Sequence, residues 1–200
     1  MPGGGRPHPR INEEIPMVIR NLLRVCAALL LGLAFLTGTG ASASAAATSD
    51  AVRTIRYDAS RAAEFRTAVD EGARIWNEHV GNVRLVPGTP ADVVVLADNG
   101  WPRAQVRGLG RGTIWMGRQA VQDGHYTVRI ASHEFGHILG LPDRRTGLCT
   151  DLMSGASAGT SCRNPDPNPA ETAEVESNFE DGRIGVTPGI TLTEAPAPVS

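Results

Sequence analysis

Ser132-His133-Glu134-Phe135-Gly136-His137-Ile138-Leu139-Gly140-Leu141-Pro142-Asp143 is the stretch on which the reading of this chain turns. On a helix, residues four apart lie one above the other on the same face. His133 and His137 therefore present two imidazole nitrogens to a single ion, each at about 2.0–2.1 Å. Glu134 is rotated by one residue, close enough to reach a water at that ion without having to ligate it. Two histidines leave a catalytic zinc site one protein ligand short, since three ligands and an open position are usual. Gly140 permits a turn at the helix end that a residue with a Cβ would resist. Pro142 stops the helix, and Asp143 arrives where the chain has turned back toward the ion. Asp143 is thus the expected third ligand. The rivals are Glu171 and Glu174, which leave Gly140 without a reason, and the plain alternative is Asp143 as an ordinary turn residue.

Outward from that stretch, the residue pattern predicts one α/β domain. Val52-Arg53-Thr54-Ile55-Arg56-Tyr57 alternates apolar and polar as a half-buried strand does. Ser60 is a candidate N-cap, with Glu64 near capping-box distance, for an amphipathic helix carrying Ala62, Phe65, Val69, Ala73 and Trp76 and running to about Glu78. Short strands follow at 83–86, 91–96, 104–107 and 113–116, the last two joined by the glycine-rich turn at 108–112. That turn lacks the Lys-Ser/Thr of a phosphate loop and opens no helix. A second helix spans roughly 126–139, a Gly/Ser/Pro-rich segment covers 146–169, and a last helix covers 169–179. The tail at 181–200, with Pro188, Pro196 and Pro198, is expected to be disordered.

The chain has 200 residues, of which the first 47 read as an N-terminal extension and secretory signal peptide. A basic segment around Arg20 and Arg24 precedes an apolar run at 25–36 and the small-residue stretch at 41–47. An apolar run of about a dozen residues is too short for a membrane anchor, which takes roughly 20. Translation starts at Met1 or Met17, and cleavage follows Ala43, Ala45 or Ala47. Little or no propeptide fits between Ala47 and the first strand. Cys26 departs with the leader, leaving Cys149 and Cys162; in an oxidising compartment an even remainder of two reads as one disulfide, with two thiols or zinc ligands as the alternatives. From Ser44 onward, fifteen arginines face nineteen acids, a net charge of −4, and lysine is absent. With the arginines scattered, no basic stripe for nucleic acid emerges.

The run from His133 to Asp143 resembles the active-site motif of the snapalysin family, small secreted neutral metalloproteases related to the metzincins. Cys149-Thr150-Asp151-Leu152-Met153-Ser154-Gly155 and Ser161-Cys162-Arg163-Asn164-Pro165 extend the likeness, which covers the chain from Thr54 to about Phe179. The resemblance implies a zincin-like or metzincin-like single domain at 48–180 with a twisted mixed sheet, an active-site helix, a turn that places Met153 beneath the metal, and a C-terminal helix. It implies Zn2+ held by His133, His137 and Asp143, Glu134 as the general base, and a Cys149–Cys162 disulfide. The expected activity is endopeptidase cleavage of protein or peptide substrates, with a preference for an aromatic residue after the scissile bond. The protein is expected to be extracellular, monomeric, and free of membrane and nucleic acid once the signal is removed.

Two departures from the family stand out. Arg144-Arg145 replaces the aromatic hydroxyl that commonly follows the Asp ligand, and a guanidinium there could stabilise an oxyanion. The family's calcium site has no match, since Tyr126 and Val128 stand where oxygen ligands belong, so calcium is not expected. Two other readings remain at this point: a catalytically impaired zinc-binding relative, against which Glu134 argues because a structural site needs no base, and a zinc amidase acting on cell-wall peptides.

Overall fold

The computed structural model describes residues 52–195, so residues 1–51 and 196–200 lie outside it. Six strands form one mixed sheet: β1 (Arg53–Arg61), β2 (Val83–Pro87), β3 (Val93–Asp98), β4 (Arg103–Gly108), β5 (Arg111–Gly117) and β6 (Thr191–Thr193), in the order β2-β1-β3-β5-β4-β6. β2, β1, β3 and β5 run parallel, whereas β4 is antiparallel to β5 and β6 is antiparallel to β4. The helices are α1 (Arg66–His79), α2 (Arg118–Gln122), α3 (Thr127–Ile138) and α4 (Pro169–Asp181).

Strand alternation sends Ile55, Tyr57, Val93, Val95, Ala104, Val106, Ile114 and Met116 into one core with Val69 and Trp76 of α1 and Phe135 and Ile138 of α3. Their alternates Arg56 and Arg84 face solvent. The helices therefore cover one face of the sheet. α3 is buried along its length from Arg129 to Ile138, which for a helix requires cover on all sides. Part of that cover is α1, which meets α3 at Gly72: a Cβ there would come within 2.9 Å of the Ser132 backbone nitrogen and 3.1 Å of the Ala131 Cβ. Trp76 Nε1 donates to Ser132 O at 2.8 Å and pins the same crossing.

Two expectations change. Ser60 is no helix cap: β1 continues through Arg61, which pairs with Leu96 across a register shift, and the Ser60 amide donates to the Asp58 carboxylate at 2.8 Å. A 3-10 turn at Ala63–Phe65 then leads into α1 without a side-chain cap, and Glu64 pairs with Arg118. Strand pairing with β3 outcompetes the local cap. The tail, expected to be disordered from Asp181, is ordered as far as Ala195. After Gly182 in the left-handed conformation, Val186 is buried, the Gly189 amide donates to Val106 O at 2.8 Å, and β6 completes the sheet edge. The unpaired outer edge of β4 supplies backbone partners that outweigh the proline-rich composition. Among the described residues no helix is long and apolar enough to cross a membrane; the signal-peptide reading falls outside them.

Because Gly72 sits against backbone rather than a yielding side chain, Gly72→Ala is expected to destabilise the domain by about 1–3 kcal/mol. Urea denaturation measures this, and a midpoint equal to the parent's would show that α1 can retreat from α3 at no cost.

Candidate metal centre

α3 carries His133 and His137 one turn apart, with ring centroids 4.6 Å apart and planes at 84°. Each ring is oriented through its far nitrogen: His133 Nδ1 lies 3.0 Å from Leu152 O, and His137 Nδ1 lies 2.8 Å from Leu141 O. A carbonyl oxygen can only accept, so both Nδ1 atoms carry the proton and both Nε2 lone pairs face the same point. That tautomer is the one a metal needs.

The end of α3 supplies the next residue. Gly140 has φ +98°, and a Cβ there would come within 2.7 Å of Asn178 Nδ2. The turn lets the Leu141 amide donate back to Gly136 O at 2.9 Å while Leu141 O takes the His137 proton. Pro142 and Asp143 follow, and Asp143 Oδ1 ends 3.3 Å from His133 Nε2 and 3.6 Å from His137 Nε2. One ligand atom from each of His133, His137 and Asp143 falls within 4.8 Å of the others. Glu134 is fully buried beside them, and neither of its carboxylate oxygens has a hydrogen-bond partner.

Beneath α3 lies a floor built from the 149–162 segment. Met153 is fully buried, and a Cβ on Gly136 would approach its sulfur to 2.6 Å, so the thioether packs against the helix between the two histidines. The buried Arg129 guanidinium donates to Asn164 O at 2.5 Å, Asp151 O at 2.6 Å, and Cys149 O and Leu152 O at 3.3 Å. Cys149 and Cys162 are disulfide-bonded, as expected.

The rival ligands lie elsewhere. Glu171 accepts from the Leu152, Met153 and Asn168 amides at 3.1, 2.7 and 2.8 Å and closes a capping box at the start of α4. Glu174 pairs with Arg144, which is thereby turned out of the site. Arg145 does reach the site, but not as a free oxyanion donor. Its guanidinium donates to Asp143 Oδ2 at 3.2 Å, Thr193 O at 3.0 Å and Ala195 O at 3.4 Å.

Sequence reasoning missed Glu194. It arrives at the end of β6, is nearly as buried as the histidines, and places Oε1 3.0 Å from His133 Nε2 and 3.6 Å from Arg145 Nη2. The other oxygen, Oε2, accepts from the Ala156 amide. Gly155, at φ +57°, makes room, since a Cβ there would collide with the Glu194 carboxylate. The one available signal was the alternation in Thr191-Leu192-Thr193, a strand pattern inside a segment dominated by prolines.

The electrostatics of this cluster are those of an ion site. Burial drives the Glu134 carboxyl well above its usual range, and the neighbouring Glu194 and Asp143 carboxylates push the same way. Burial, with His133 beside it, pushes His137 down to about 4. For His133 burial acts downward, but the facing Glu194 and Asp143 carboxylates outweigh it and hold that imidazole well above its ordinary value. His133 Nε2, His137 Nε2, Asp143 Oδ1, Glu194 Oε1 and both Glu134 oxygens are buried without a well-formed hydrogen bond. Buried polar atoms are nearly always satisfied, and a divalent cation between His133 Nε2, His137 Nε2 and Asp143 Oδ1 would satisfy those three at once. Two imidazoles and a carboxylate are zinc donors. The residues fit the ion.

A family model described as Streptomyces extracellular neutral proteinase (M7) matches residues 51–182. The extracellular small neutral protease of Streptomyces caespitosus is 40% identical over 131 residues, 64% of this chain and 98% of that protein. The protein of the same description from Streptomyces coelicolor is 41% identical over 132 residues, 64% of this chain and 60% of that protein. The chain thus spans nearly all of the first relative and about three-fifths of the second. Among solved structures, archaemetzincin from Methanopyrus kandleri is 13% identical, with 66% of this chain and 98% of that one covered and a TM-score of 0.43.

Glu171→Ala is expected to cost about 2–4 kcal/mol, since hydrogen bonds to a charged group contribute about 1.5–3 kcal/mol and three amides lose their acceptor. Bound metal should stay stoichiometric in the folded variant. Metal analysis of the variant after gel filtration tests both halves, and a folded protein that had lost its metal would return Glu171 to the ligand set.

Proposed function

Because the chain belongs to the Streptomyces extracellular neutral proteinase (M7) family, we propose that it is a secreted, zinc-dependent endopeptidase. The observation that carries this reading is the convergence of the His133 and His137 lone pairs and Asp143 Oδ1 on one point, with the unpartnered Glu134 carboxylate beside them. Bound between these residues, zinc would supply the Lewis acidity that lowers the pKa of water and polarises a carbonyl. His133, His137 and Asp143 hold it, and Leu152 O and Leu141 O keep the imidazoles in the ligating tautomer. Glu134 takes the proton from the attacking water and passes it to the leaving amine. Its buried setting raises its proton affinity, which suits a group that must first accept and then donate.

A narrow cleft beside His133 is lined by Trp101, Tyr126, Ile130 and Ala156. These largely apolar walls favour an apolar over a charged side chain next to the scissile bond. The extracellular designation of the relatives supports secretion, in keeping with the leader pattern at the N-terminus. Among the alternatives, an inactive zinc-binding relative would have no use for Glu134 as a buried base, and a cell-wall amidase would share this centre and differ only in what the cleft accepts.

The Glu134→Gln protein should bind zinc at the parent's stoichiometry while losing at least 100-fold in kcat, in line with removal of a general base. His133→Ala and Asp143→Ala should lose both metal and turnover. Cleavage of a mixed peptide library with the cut sites read out checks activity and the aromatic preference together. Parent-like turnover by Glu134→Gln would sink the mechanism.

A further inference from the structure

The family match ends at residue 182, yet the chain continues into ordered structure that reaches the metal centre. From Gly189 to Glu194 the tail lies along the outer side of β4. Gly189 N donates to Val106 O at 2.8 Å, Thr191, Leu192 and Thr193 pair with Gln105, Ala104 and Arg103, and Glu194 N donates to Pro102 O at 2.9 Å. Without β6, β4 would be the sheet edge, its backbone donors and acceptors exposed beside the catalytic cluster. An open strand edge binds extended peptides by adding them to the sheet. The tail is itself such a peptide, already in place.

Its end is held at the metal centre by three groups. Gly155 lacks the Cβ that would exclude the Glu194 carboxylate, and the Ala156 amide binds Oε2, leaving Oε1 aimed at the cluster without a hydrogen bond. Arg145 grips the backbone on either side through Thr193 O and Ala195 O. A catalytic zinc site keeps its fourth position for water, and four protein ligands make a closed, structural set. Glu194 Oε1 lies 3.0 Å from His133 Nε2, in the cleft from which that open position is reached.

We infer that residues 189–195 form an autoinhibitory strand: β6 occupies the β4 edge that an extended substrate needs, and Glu194 sets its carboxylate against His133 at the mouth of the metal centre. This rests on the peptidase reading. Inhibition is reversible by construction, because only three residues are strand-paired and the connecting residues Thr187, Pro188 and Gly189 are exposed.

The test uses the full chain loaded with cobalt(II) for spectroscopy and with zinc for kinetics. Glu194→Gln and Glu194→Ala should alter the visible cobalt absorption, as water gains the space that the carboxylate beside His133 had filled, and raise kcat/KM on a quenched fluorescent peptide at least tenfold. An unchanged spectrum with unchanged kcat/KM overturns the proposal, and so does loss of cobalt from Glu194→Ala, which would make Glu194 a structural ligand. A shifted spectrum in proteins that are all inactive rejects the peptidase reading, and inhibition with it, while leaving Glu194 at the metal. In a second arm, a recognition sequence for a site-specific protease inserted at Pro188 allows the tail to be cut after folding. Cutting should raise activity, and a synthetic peptide of residues 189–195 should restore inhibition competitively, the same peptide with Glu194→Gln being at least tenfold weaker. A peptide without effect on the cut enzyme overturns the proposal by a route that no folding defect can imitate.

Discussion

Three carboxylates, from Glu134, Asp143 and Glu194, and two imidazoles meet in one buried place where most of their facing atoms lack a well-formed hydrogen bond. Burying like charges together costs several kcal/mol per ion unless an opposite charge compensates. Arg145 supplies one cation at the rim, against Asp143 and Glu194. A divalent ion between His133, His137 and Asp143 supplies what is still missing. The rest of the fold can be understood as the support this cluster requires: a helix buried along most of its length to carry the histidines, a carbonyl behind each ring, and a turn that brings the carboxylate round.

The support is uneven, and the unevenness has a direction. Below α3, the 149–162 segment is held by the disulfide, by four carbonyls converging on Arg129, and by two amides on Glu171. Leu152 belongs to all of this: its carbonyl meets both Arg129 and His133, and its amide meets Glu171. The orientation of His133 is therefore tied to the most heavily braced part of the molecule. Above the site, the tail is attached by a three-residue edge strand and the half-exposed Arg145. Segments that open at low cost are those with few buried contacts and solvent-exposed backbone bonds, so the metal centre is braced firmly from below and more lightly from the tail side.

Much of this was legible in the residues, and the reasons differ from case to case. His133, His137 and Asp143 could be placed because helical periodicity and a glycine-proline turn are local rules with little freedom. α1 followed from apolar spacing, and α3 and α4 fall within the stretches 126–139 and 169–179 expected to be helical, give or take two residues. Ser60 misled because a cap is a local preference and β3 offered a longer-range pairing that was worth more. Glu171 offered a carboxylate of the right kind in the right region, and only the fold shows that amides, not an ion, consume it. Arg129 gave no sign of its four carbonyls, since convergence of loop backbone on a side chain leaves no spacing to read. Glu194 was hidden for a similar reason: its role depends on an edge strand pairing nearly ninety residues earlier in the chain, and composition pointed the other way.

The departure at 144–145 and the presence of the tail have a common explanation. An aromatic hydroxyl following Asp143 would offer a single donor, whereas the guanidinium of Arg145 offers five in a fixed plane. That fork reaches Asp143, the carbonyls of Thr193 and Ala195, and the Glu194 carboxylate together. Arg145 adopts φ +46° to do so, a conformation that a non-glycine residue holds only when its surroundings favour it. The tail in turn needs a cation at this spot, because Glu194 would otherwise set a third carboxylate beside Asp143 and Glu134 with no counter-charge but the metal. Each feature lowers the cost of the other: without the tail the arginine keeps Asp143 as its one partner in a strained conformation, and without the arginine the tail brings an unpaired acid to a crowded site.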